Sequence, residues 1–387
     1  MNPVEHKRIH SLDFLRGLAV LLVLFRHLPN EETSGVLHFV QSIGWTGVDL
    51  FFVLSGFLIS GLLFTEFNRT GKLDVKRFWL RRGLKIWPSY FLTYGLAMLA
   101  TAIWTSDFSI LITRIPNYVF LQNYADPAIR WTHSWSIAIE EHFYFGLPLL
   151  LLYLAAKKFR SVPGIALLVC AGVLLQRVLL FLLTDLKWAN FYYPSHLRID
   201  SLSFGVLLGY LYHYKREVFV RIGRFWPYFI AATPLIALAY IFPLEQSAFS
   251  YTIGFTIFYL MFGGLVLAAR VHPHFGSSGP QRLLSWMGIY SYTIYLAHSV
   301  VYELPGSSNM RAMIVSRFGT AGDQLAFIGA SILLGVIISH LIERPFLRLR
   351  AKWLPVTPRS TPPKDDTHIV LIDALPSGRL SQFSCEQ

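Results

Sequence analysis

The stretch SLDFLRGLAVLLVLFRHL, residues 11–28, is long and apolar enough to cross a bilayer as one helix. It nevertheless carries Arg16 and His27, which are eleven residues apart. At about 100° and 1.5 Å per residue, the two side chains lie within about 20° of the same helix face and about 16 Å apart. Ionisable groups in spanning helices are costly and usually face a bundle interior or a watery cavity. The pattern therefore predicts a site within a bundle, although snorkelling by Arg16 and interfacial capping by His27 would also account for it.

Apolar runs of similar length recur along all 387 residues, of which 54% are hydrophobic and 14% are charged. Soluble domains carry about 25% charged residues, so this composition predicts an all-α integral membrane protein. Hydropathy predicts about ten transmembrane helices, with the approximate bounds 12–28, 44–65, 86–104, 134–154, 162–183, 197–213, 225–243, 249–269, 283–303 and 324–342.

Lysine and arginine are distributed unequally between the predicted connections. The segments on the side of the N-terminus carry roughly five times as many of them as the segments on the other side. This positive-inside bias predicts that the N- and C-termini are both cytoplasmic. The net charge of +12 then reflects topology and contact with anionic lipid, and we expect no nucleic-acid partner.

The composition changes near residue 348. Residues 1–348 contain the predicted spans, whereas residues 349–387 are rich in proline and in charged or small polar residues, which predicts a disordered cytoplasmic tail. The two cysteines and the dispersed histidines show no metal-ligand spacing. We therefore expect no metal site and no bound cofactor.

The predicted topology gathers unusual polar residues at two levels of the bundle. One set lies near the outer ends of the spans and comprises His27, Glu140, Glu141, Arg198, Asp200 and His298. Intramembrane charges that pair with one another usually mark a pathway or a site. On the opposite side, the stretch LRRGLKIWP, residues 80–88, contains a basic group that could hold phosphates or could simply anchor the third span.

Six sequence blocks occur in a recognisable order. They are LDFLRGLAVLLVLFRH (12–27), GVDLFFVLSGFLIS (47–60), RRGLKIWPSY (81–90), HSWSIAIEEHFYFGLP (133–148), RIDSLSFGVLLGY (198–210) and SYTIYLAH (291–298). Together they resemble the acyltransferase-3 family of integral-membrane O-acyltransferases, whose Arg/Lys-x10-His signature lies in the first block. The resemblance covers roughly residues 11–345, so residues 1–348 are expected to form one domain of this family.

The resemblance implies transfer of an acyl group, expected to be acetyl, to a hydroxyl of a carbohydrate or another acceptor, with acyl-CoA as co-substrate. It implies that His27 is the catalytic histidine, Arg16 its companion in the signature and Glu140 the glutamate of the family. Arg82 and Lys85 occupy the positions of an Arg-x-x-Arg motif that is expected to hold the donor. Lysine keeps the charge at the second position but lacks the bidentate fork of arginine.

From this assignment we expect His27 to act as general base or acyl relay and Glu140 to orient its imidazole. Arg81 is expected to join Arg82 and Lys85 at the donor phosphates. The expected location is a bacterial inner or plasma membrane. The main alternative is a transporter or flippase that uses its buried charges as a relay, and another is a non-catalytic sensor. The candidates for the acceptor side are Glu141, Arg198, Asp200 and His298.

Overall fold

The computed structural model describes residues 10–29, 34–125, 132–272, 275, 279–304 and 306–355. Across these residues the secondary structure is entirely helical, as the sequence predicts. The α-helices are α1 (His10–Arg26), α2 (Gly35–Ile43), α3 (Gly47–Thr70), α4 (Val75–Thr105), α5 (Ser109–Thr113), α6 (Ile115–Tyr118), α7 (Trp135–Ala155), α8 (Val162–Leu183), α9 (Ala189–Tyr192), α10 (Ile199–Tyr214), α11 (Arg216–Gly223), α12 (Trp226–Ala231), α13 (Leu238–Ile241), α14 (Phe255–Val271), α15 (Gly279–Ile289), α16 (Ser291–Glu303), α17 (Ser307–Ile338) and α18 (Arg344–Trp353). Short 3₁₀-helices lie at Gly44–Thr46, Gln122–Tyr124, Thr132–Ser134, Ser195–Leu197 and Thr233–Ala237, and π-helices lie at Ser250–Gly254 and Ser339–Glu343.

Six helical segments among the described residues are long and apolar enough to span a membrane, and one bent pair of shorter helices raises the number to seven. The segments are Gly35–Thr70, Val75–Thr105, Trp135–Ala155, Val162–Leu183, Ser250–Val271 and Ser307–Trp353, and the bent pair is Arg216–Gly223 with Trp226–Ile241. These helices fit a multi-pass membrane protein.

The predicted count of ten spans is not confirmed, and the cytoplasmic location of the termini stays a prediction. The shortfall has a physical basis, because α1 has 17 residues and α10 has 16. Helices of this length extend about 24–26 Å, which is less than a hydrocarbon core of about 30 Å. The predicted ninth span is also divided at Tyr290 into α15 and α16.

The long helices differ in how much of their apolar surface the bundle covers. In the apolar 18-residue stretch of the segment Gly35–Thr70, 72% of the residues are buried, whereas only 22% are buried in that of α8. On α8, Leu168 and Leu182 expose 72% and 68% of their surface. In a bilayer such side chains would contact acyl chains, so α3 lies at the centre of the bundle and α8 at its periphery.

A tight connection joins α3 to α4. Gly71, with a φ of 72°, ends α3 and donates its N–H to the carbonyl of Phe67 at 2.7 Å. The Asp74 carboxylate then accepts the N–H of Arg77 at 2.9 Å and caps α4. Helix α4 has 31 residues and extends about 46 Å, so the basic stretch 80–88 belongs to the same continuous helix as the predicted third span.

Helices α3 and α10 pack with their backbones in close contact. A Cβ atom placed on Gly205 would lie 2.3 Å from the carbonyl oxygen of Val53 and 2.9 Å from the Cα of Gly56. Gly205 and Gly209 form a small-xxx-small spacing, which the sequence predicts as a packing feature. Both glycines have this packing role in the structure, because a Cβ atom at either position would meet atoms of α3.

The substitution Gly205→Ala is expected to destabilise the protein by about 1–3 kcal/mol, because the added methyl must push two helix backbones apart. Gly172→Ala on α8 is the matched control, since a Cβ there meets nothing within 4 Å among the described residues. Thermal unfolding of the detergent-purified variants, followed by loss of the monodisperse chromatographic peak, measures the difference. Equal stability of the two variants would contradict the close packing of α3 on α10.

The C-terminal part of the described chain ends in α18, and the predicted division into membrane domain and tail stays a prediction. Helix α18 runs to Trp353 and so continues past residue 348, where the tail was predicted to begin. Its end contacts α4, because the Arg81 guanidinium donates a hydrogen bond to the carbonyl oxygen of Leu354. Residues 356–387, which contain most of the predicted tail, lie outside the described residues.

Candidate active site

A cavity of about 470 Å³ is lined by residues of α1, α3, α4, α7, α10, α14 and α16, and we call it the large cavity. Its charged lining residues are Arg16, Arg82, Lys85, Arg270 and Glu140. Glu140 is the only carboxylate among the described residues of this lining, so the cavity carries a net positive charge. The remaining wall is mostly apolar. Such a cavity suits a molecule with an anionic part and an apolar part.

Glu140 is held among hydroxyl groups and cations. Its carboxylate accepts a hydrogen bond from the Ser55 hydroxyl, which also accepts one from the Tyr144 hydroxyl at 3.3 Å. The guanidinium of Arg82 lies over the Tyr144 ring, 4.7 Å from its centroid. Arg82 and Arg16 both attract the Glu140 carboxylate electrostatically. This carboxylate therefore belongs to the basic part of the site.

The basic lining residues influence one another. Lys85 is electrostatically coupled to Arg16 and Arg82 inside the cavity and to Arg350 and Glu343 at the end of the bundle that contains α18. The four cations outnumber their two neighbouring carboxylates, Glu140 and Glu343, and like charges at short range repel, so a further anion would be favourable there. The arrangement can accept an anionic group such as a phosphate.

A second cavity of about 100 Å³, which we call the small cavity, contains His27 in its lining. Its wall is largely aromatic and comprises Trp45, Trp135, Trp188, Tyr192, Tyr193 and Tyr295. Arg26 and Glu245 also line it and form an ion pair with each other. The two cavities share Val48 and Tyr295 in their linings, so they adjoin at these side chains.

Three histidines meet beside the small cavity and form what we call the histidine cluster. His27 follows α1, His133 lies in the 3₁₀-helix before α7, and His298 lies on α16. The ring centroids are 4.4 Å apart for His27 and His133, 5.0 Å for His27 and His298, and 4.9 Å for His133 and His298. His298 is buried, whereas the other two retain some exposure.

Backbone carbonyls fix the orientation of two of these rings. Nδ1 of His27 lies 2.9 Å from the carbonyl oxygen of Val23, and Nδ1 of His298 bonds the carbonyl oxygen of Tyr295. A carbonyl oxygen can only accept, so each Nδ1 carries the proton and donates. Each neutral ring then presents the lone pair of Nε2, which for His27 is the atom available to accept a proton.

Tyr295 lines both cavities and forms hydrogen bonds at the boundary between them. Its hydroxyl donates a hydrogen bond of 2.7 Å to the carbonyl oxygen of His133 and lies 2.6 Å from the Ser136 hydroxyl. Its ring centroid is 5.2 Å from that of His298. The side chain therefore holds the segment before α7 against α16 at the boundary between the cavities.

Two predicted acceptor-side residues, Arg198 and Asp200, are members of buried ion pairs, and their role toward the acceptor stays a prediction. The Arg198 guanidinium donates to the Asp49 carboxylate at 2.8 Å, and the Arg177 guanidinium donates to the Asp200 carboxylate at 2.7 Å. All four side chains have 0% exposure. Neither Arg198 nor Asp200 lines the large or the small cavity. The two ion pairs join α10 to α3 and to α8. The sequence suggested a role in acceptor binding for Arg198 and Asp200.

Three further predicted residues line neither cavity: Glu141, Arg81 and His298, of which His298 belongs to the histidine cluster. Glu141 is buried and accepts a hydrogen bond of 2.9 Å from the indole of Trp87 on α4. Successive residues on a helix point about 100° apart, so Glu141 faces α4 while its neighbour Glu140 faces the cavity. Arg81 bonds the carbonyl of Leu354, as described above. Of the predicted basic group, Arg82 and Lys85 alone line the large cavity.

The structure thus divides the predicted outer cluster. His27 and His298 come together, whereas Glu140 lies with Arg16, Arg82 and the rest of the cationic lining. Sequence reasoning missed His133 and Tyr295. Both lie in blocks that resemble the family, with His133 seven residues before Glu140 and Tyr295 three residues before His298. A histidine before a helix and a tyrosine within one carry no distinctive signal of their own.

The fold and site define a multi-pass helical membrane protein with a cationic cavity beside a histidine cluster. A family model described as an acyltransferase domain matches residues 9–344. The chain belongs to this acyltransferase family, which confirms the resemblance carried by the six sequence blocks.

Among similar proteins is YrhL of Bacillus subtilis (strain 168), named as a candidate peptidoglycan O-acetyltransferase. It is 29% identical over 329 residues, which are 78% of this chain and 49% of YrhL. The O-acetyltransferase OatA of Staphylococcus aureus (strain MRSA252) is 26% identical over 394 residues, covering 95% of this chain and 62% of OatA. The chain therefore spans about half to three fifths of the length of these relatives. No solved structure matches it.

Proposed function

We propose that this protein is a membrane-bound O-acyltransferase that moves an acyl group, acetyl in the simplest case, from acyl-CoA to a hydroxyl of a carbohydrate. The observation that carries the proposal is the adjacency of the large cavity to the histidine cluster across Val48 and Tyr295. An anionic thioester donor and a hydroxyl acceptor could then meet at a neutral imidazole. The family membership supports the same reaction class.

The donor would occupy the large cavity. Its phosphates would contact Arg82 and Lys85, whose charges lie close enough to act together on an anion. Arg16 lines the same cavity and would stabilise negative charge on the donor or on the developing oxyanion. The mostly apolar wall suits the uncharged arm that links the phosphates of coenzyme A to its thioester.

His27 would act as the general base. Its Nε2 accepts the proton of the acceptor hydroxyl while the hydroxyl oxygen forms a bond to the acyl carbon. The carbon–sulfur bond of the thioester then breaks, and the departing thiolate takes the proton from the imidazolium to leave free thiol. The Val23 carbonyl supports the required tautomer. In this scheme the Glu140 carboxylate interacts with Arg16 and Arg82, the cations that would contact the donor. The Val23 carbonyl orients the His27 imidazole, which is the role first expected of Glu140.

The acceptor would enter from the small cavity, whose aromatic wall suits the apolar face of a sugar ring. The names of YrhL and OatA make peptidoglycan the first acceptor to test. We place the protein in a bacterial cell membrane, with its basic cavity residues toward the cytoplasm, where acyl-CoA is found. The strong lysine and arginine bias of the sequence supports this orientation.

The proposal is tested with purified protein in lipid, acetyl-CoA and soluble peptidoglycan fragments. We expect free thiol to appear only when both substrates are present, with one acetyl group on the glycan for each thiol released. Parallel reactions with acetyl phosphate and with longer acyl-CoAs identify the donor. Folded protein that releases no thiol and acetylates no glycan from any of these donors would overturn the proposal.

The substitution Arg82→Gln is expected to raise KM for acetyl-CoA about 10–100-fold, because a charged hydrogen bond contributes about 1.5–3 kcal/mol. The kcat for bound substrate should change less, since the contact is present before and during the reaction. Arg317→Gln on α17 is the matched control, because Arg317 is exposed and lies outside the large cavity. An unchanged KM in the Arg82 variant would contradict the donor placement.

A further inference from the structure

We propose that His27, His133 and His298 form a binding site for a divalent transition-metal ion such as Zn²⁺. The three side chains come from distant parts of the sequence, yet their ligand nitrogens lie within 4.8 Å of one another. Three imidazoles are a common ligand set for zinc, which leaves a fourth position open to water or another ligand.

The hydrogen bonds of the cluster favour this site. His27 and His298 each donate Nδ1–H to a backbone carbonyl, which is the arrangement that orients metal-binding histidines and increases their basicity. The opposite nitrogen, Nε2, is thereby left as the ligand atom. In His298 this atom is buried and has no hydrogen-bond partner among the described residues.

A buried polar atom without a partner costs about 1–3 kcal/mol, so the position of His298 calls for a ligand. One metal ion could satisfy the three imidazoles together. Tetrahedral coordination at about 2.0–2.1 Å places ligand nitrogens about 3.3 Å apart, so the ligand nitrogens would approach one another by at most about 1.5 Å. His133 lies in a short 3₁₀-helix before α7, where such a movement disturbs no long helix.

The surroundings are compatible with a bound cation. The cluster borders the small cavity, which provides room for a water molecule or an acceptor hydroxyl at the fourth position. The Glu245 carboxylate in the same lining balances the charge of Arg26, so the cavity adds no net positive charge of its own. The ligand set is all nitrogen, which favours transition metals over Mg²⁺ or Ca²⁺.

Metal binding would use the same Nε2 lone pair of His27 that the proposed reaction uses to accept a proton. Zn²⁺ at the cluster should therefore inhibit transfer, and a chelator should restore it. This consequence rests on the proposed function, whereas binding itself does not. Binding is accordingly measured without donor or acceptor, so that failure of the site and failure of the acyltransferase assignment give different results.

The test uses full-length protein purified with a histidine-free tag and treated with a chelator. Titration with Co²⁺ should produce the visible absorption of tetrahedral cobalt at one equivalent, and Zn²⁺ should displace it. His298→Ala and His133→Ala should each weaken Zn²⁺ binding at least about 10–100-fold. Removal of a residue that only supports a metal ligand already reduces the affinity by this factor, so loss of a ligand should reduce it at least as much. His340→Ala is the matched control, because His340 is exposed and lies outside the cluster.

Monodispersity and thermal unfolding confirm that each variant is folded, and the partly exposed His133 provides a milder substitution than the buried His298. The proposal is overturned if folded wild-type protein shows no cobalt spectrum, or if it binds Zn²⁺ no more tightly than the His133→Ala variant. Equal loss of binding in the His340 variant would likewise place the metal elsewhere and refute the site.

Discussion

Replacing His27 with alanine is expected to reduce acyl transfer about 10²–10⁴-fold, the range by which a positioned general base accelerates proton transfer. The effect should fall on kcat, because the donor contacts lie in the large cavity and stay intact. Truncation of His27 removes its ring contacts with His133 and His298, but His27 does not line the large cavity where the donor would bind. Binding of acetyl-CoA should therefore persist.

The measurement is thiol release under single-turnover conditions, together with donor binding by calorimetry in lipid nanodiscs. His38→Ala is the matched control, because His38 is an exposed histidine on α2 and lines neither cavity. Loss of donor binding along with turnover would indicate a folding defect or a different role. Turnover within a few-fold of wild type in the folded His27 variant would remove the general-base assignment.

The first helix illustrates what sequence patterns can predict. Helical geometry alone put Arg16 and His27 on one face at two levels, and the structure places them in two adjoining cavities. The spacing is informative because α1 carries Arg16 and ends one residue before His27, whose backbone N–H still bonds the Val23 carbonyl. The same reasoning succeeds for Arg82 and Lys85, which share the face of α4 that lines the large cavity.

Prediction was weaker where several helices meet. Hydropathy gives the approximate depth of Glu140, Arg198 and Asp200 but not the direction in which each side chain points around its helix. Rotation by one residue, about 100°, decides whether a charge faces a cavity or a neighbouring helix. The partner of Asp200 is Arg177 on α8, a helix whose strongly apolar sequence gave no reason to expect a role for its one arginine.

The histidine cluster escaped prediction for a related reason. Metal sites are recognised in sequence when their ligands share one helix or one loop, as in paired cysteines or histidines three or four residues apart. Here the ligands follow α1, precede α7 and lie within α16. Only the packing of three separate helices brings His27, His133 and His298 together.

The buried ion pairs lead to the second large effect. We expect Arg198→Met to lower the free energy of unfolding by about 3–5 kcal/mol, because it leaves the buried Asp49 carboxyl group without its cation partner in the core of the bundle. The guanidinium also lies 3.7 Å from the centroid of the Phe255 ring, so the substitution removes a cation–π contact as well. Thermal and denaturant unfolding in detergent should both detect the loss.

A double substitution separates charge from packing. In Asp49→Leu/Arg198→Met no uncompensated charge remains, and buried pairs replaced by apolar residues of similar size are often as stable as the original. The double variant should therefore be more stable than Arg198→Met alone. Arg26→Met is the matched control, because the Arg26–Glu245 pair is about one-third exposed and such pairs contribute about 0–1 kcal/mol.

The same variants decide between the structural role of Arg198 and the acceptor-binding role suggested by its position in the sequence. A structural role predicts that stability falls in Arg198→Met and recovers in the double variant, while KM for the acceptor in folded protein stays near its wild-type value. An acceptor-binding role predicts near-normal stability with a raised acceptor KM in both variants. The 0% exposure of Arg198 and Asp49 favours the first outcome, because a group that substrate cannot reach cannot bind it.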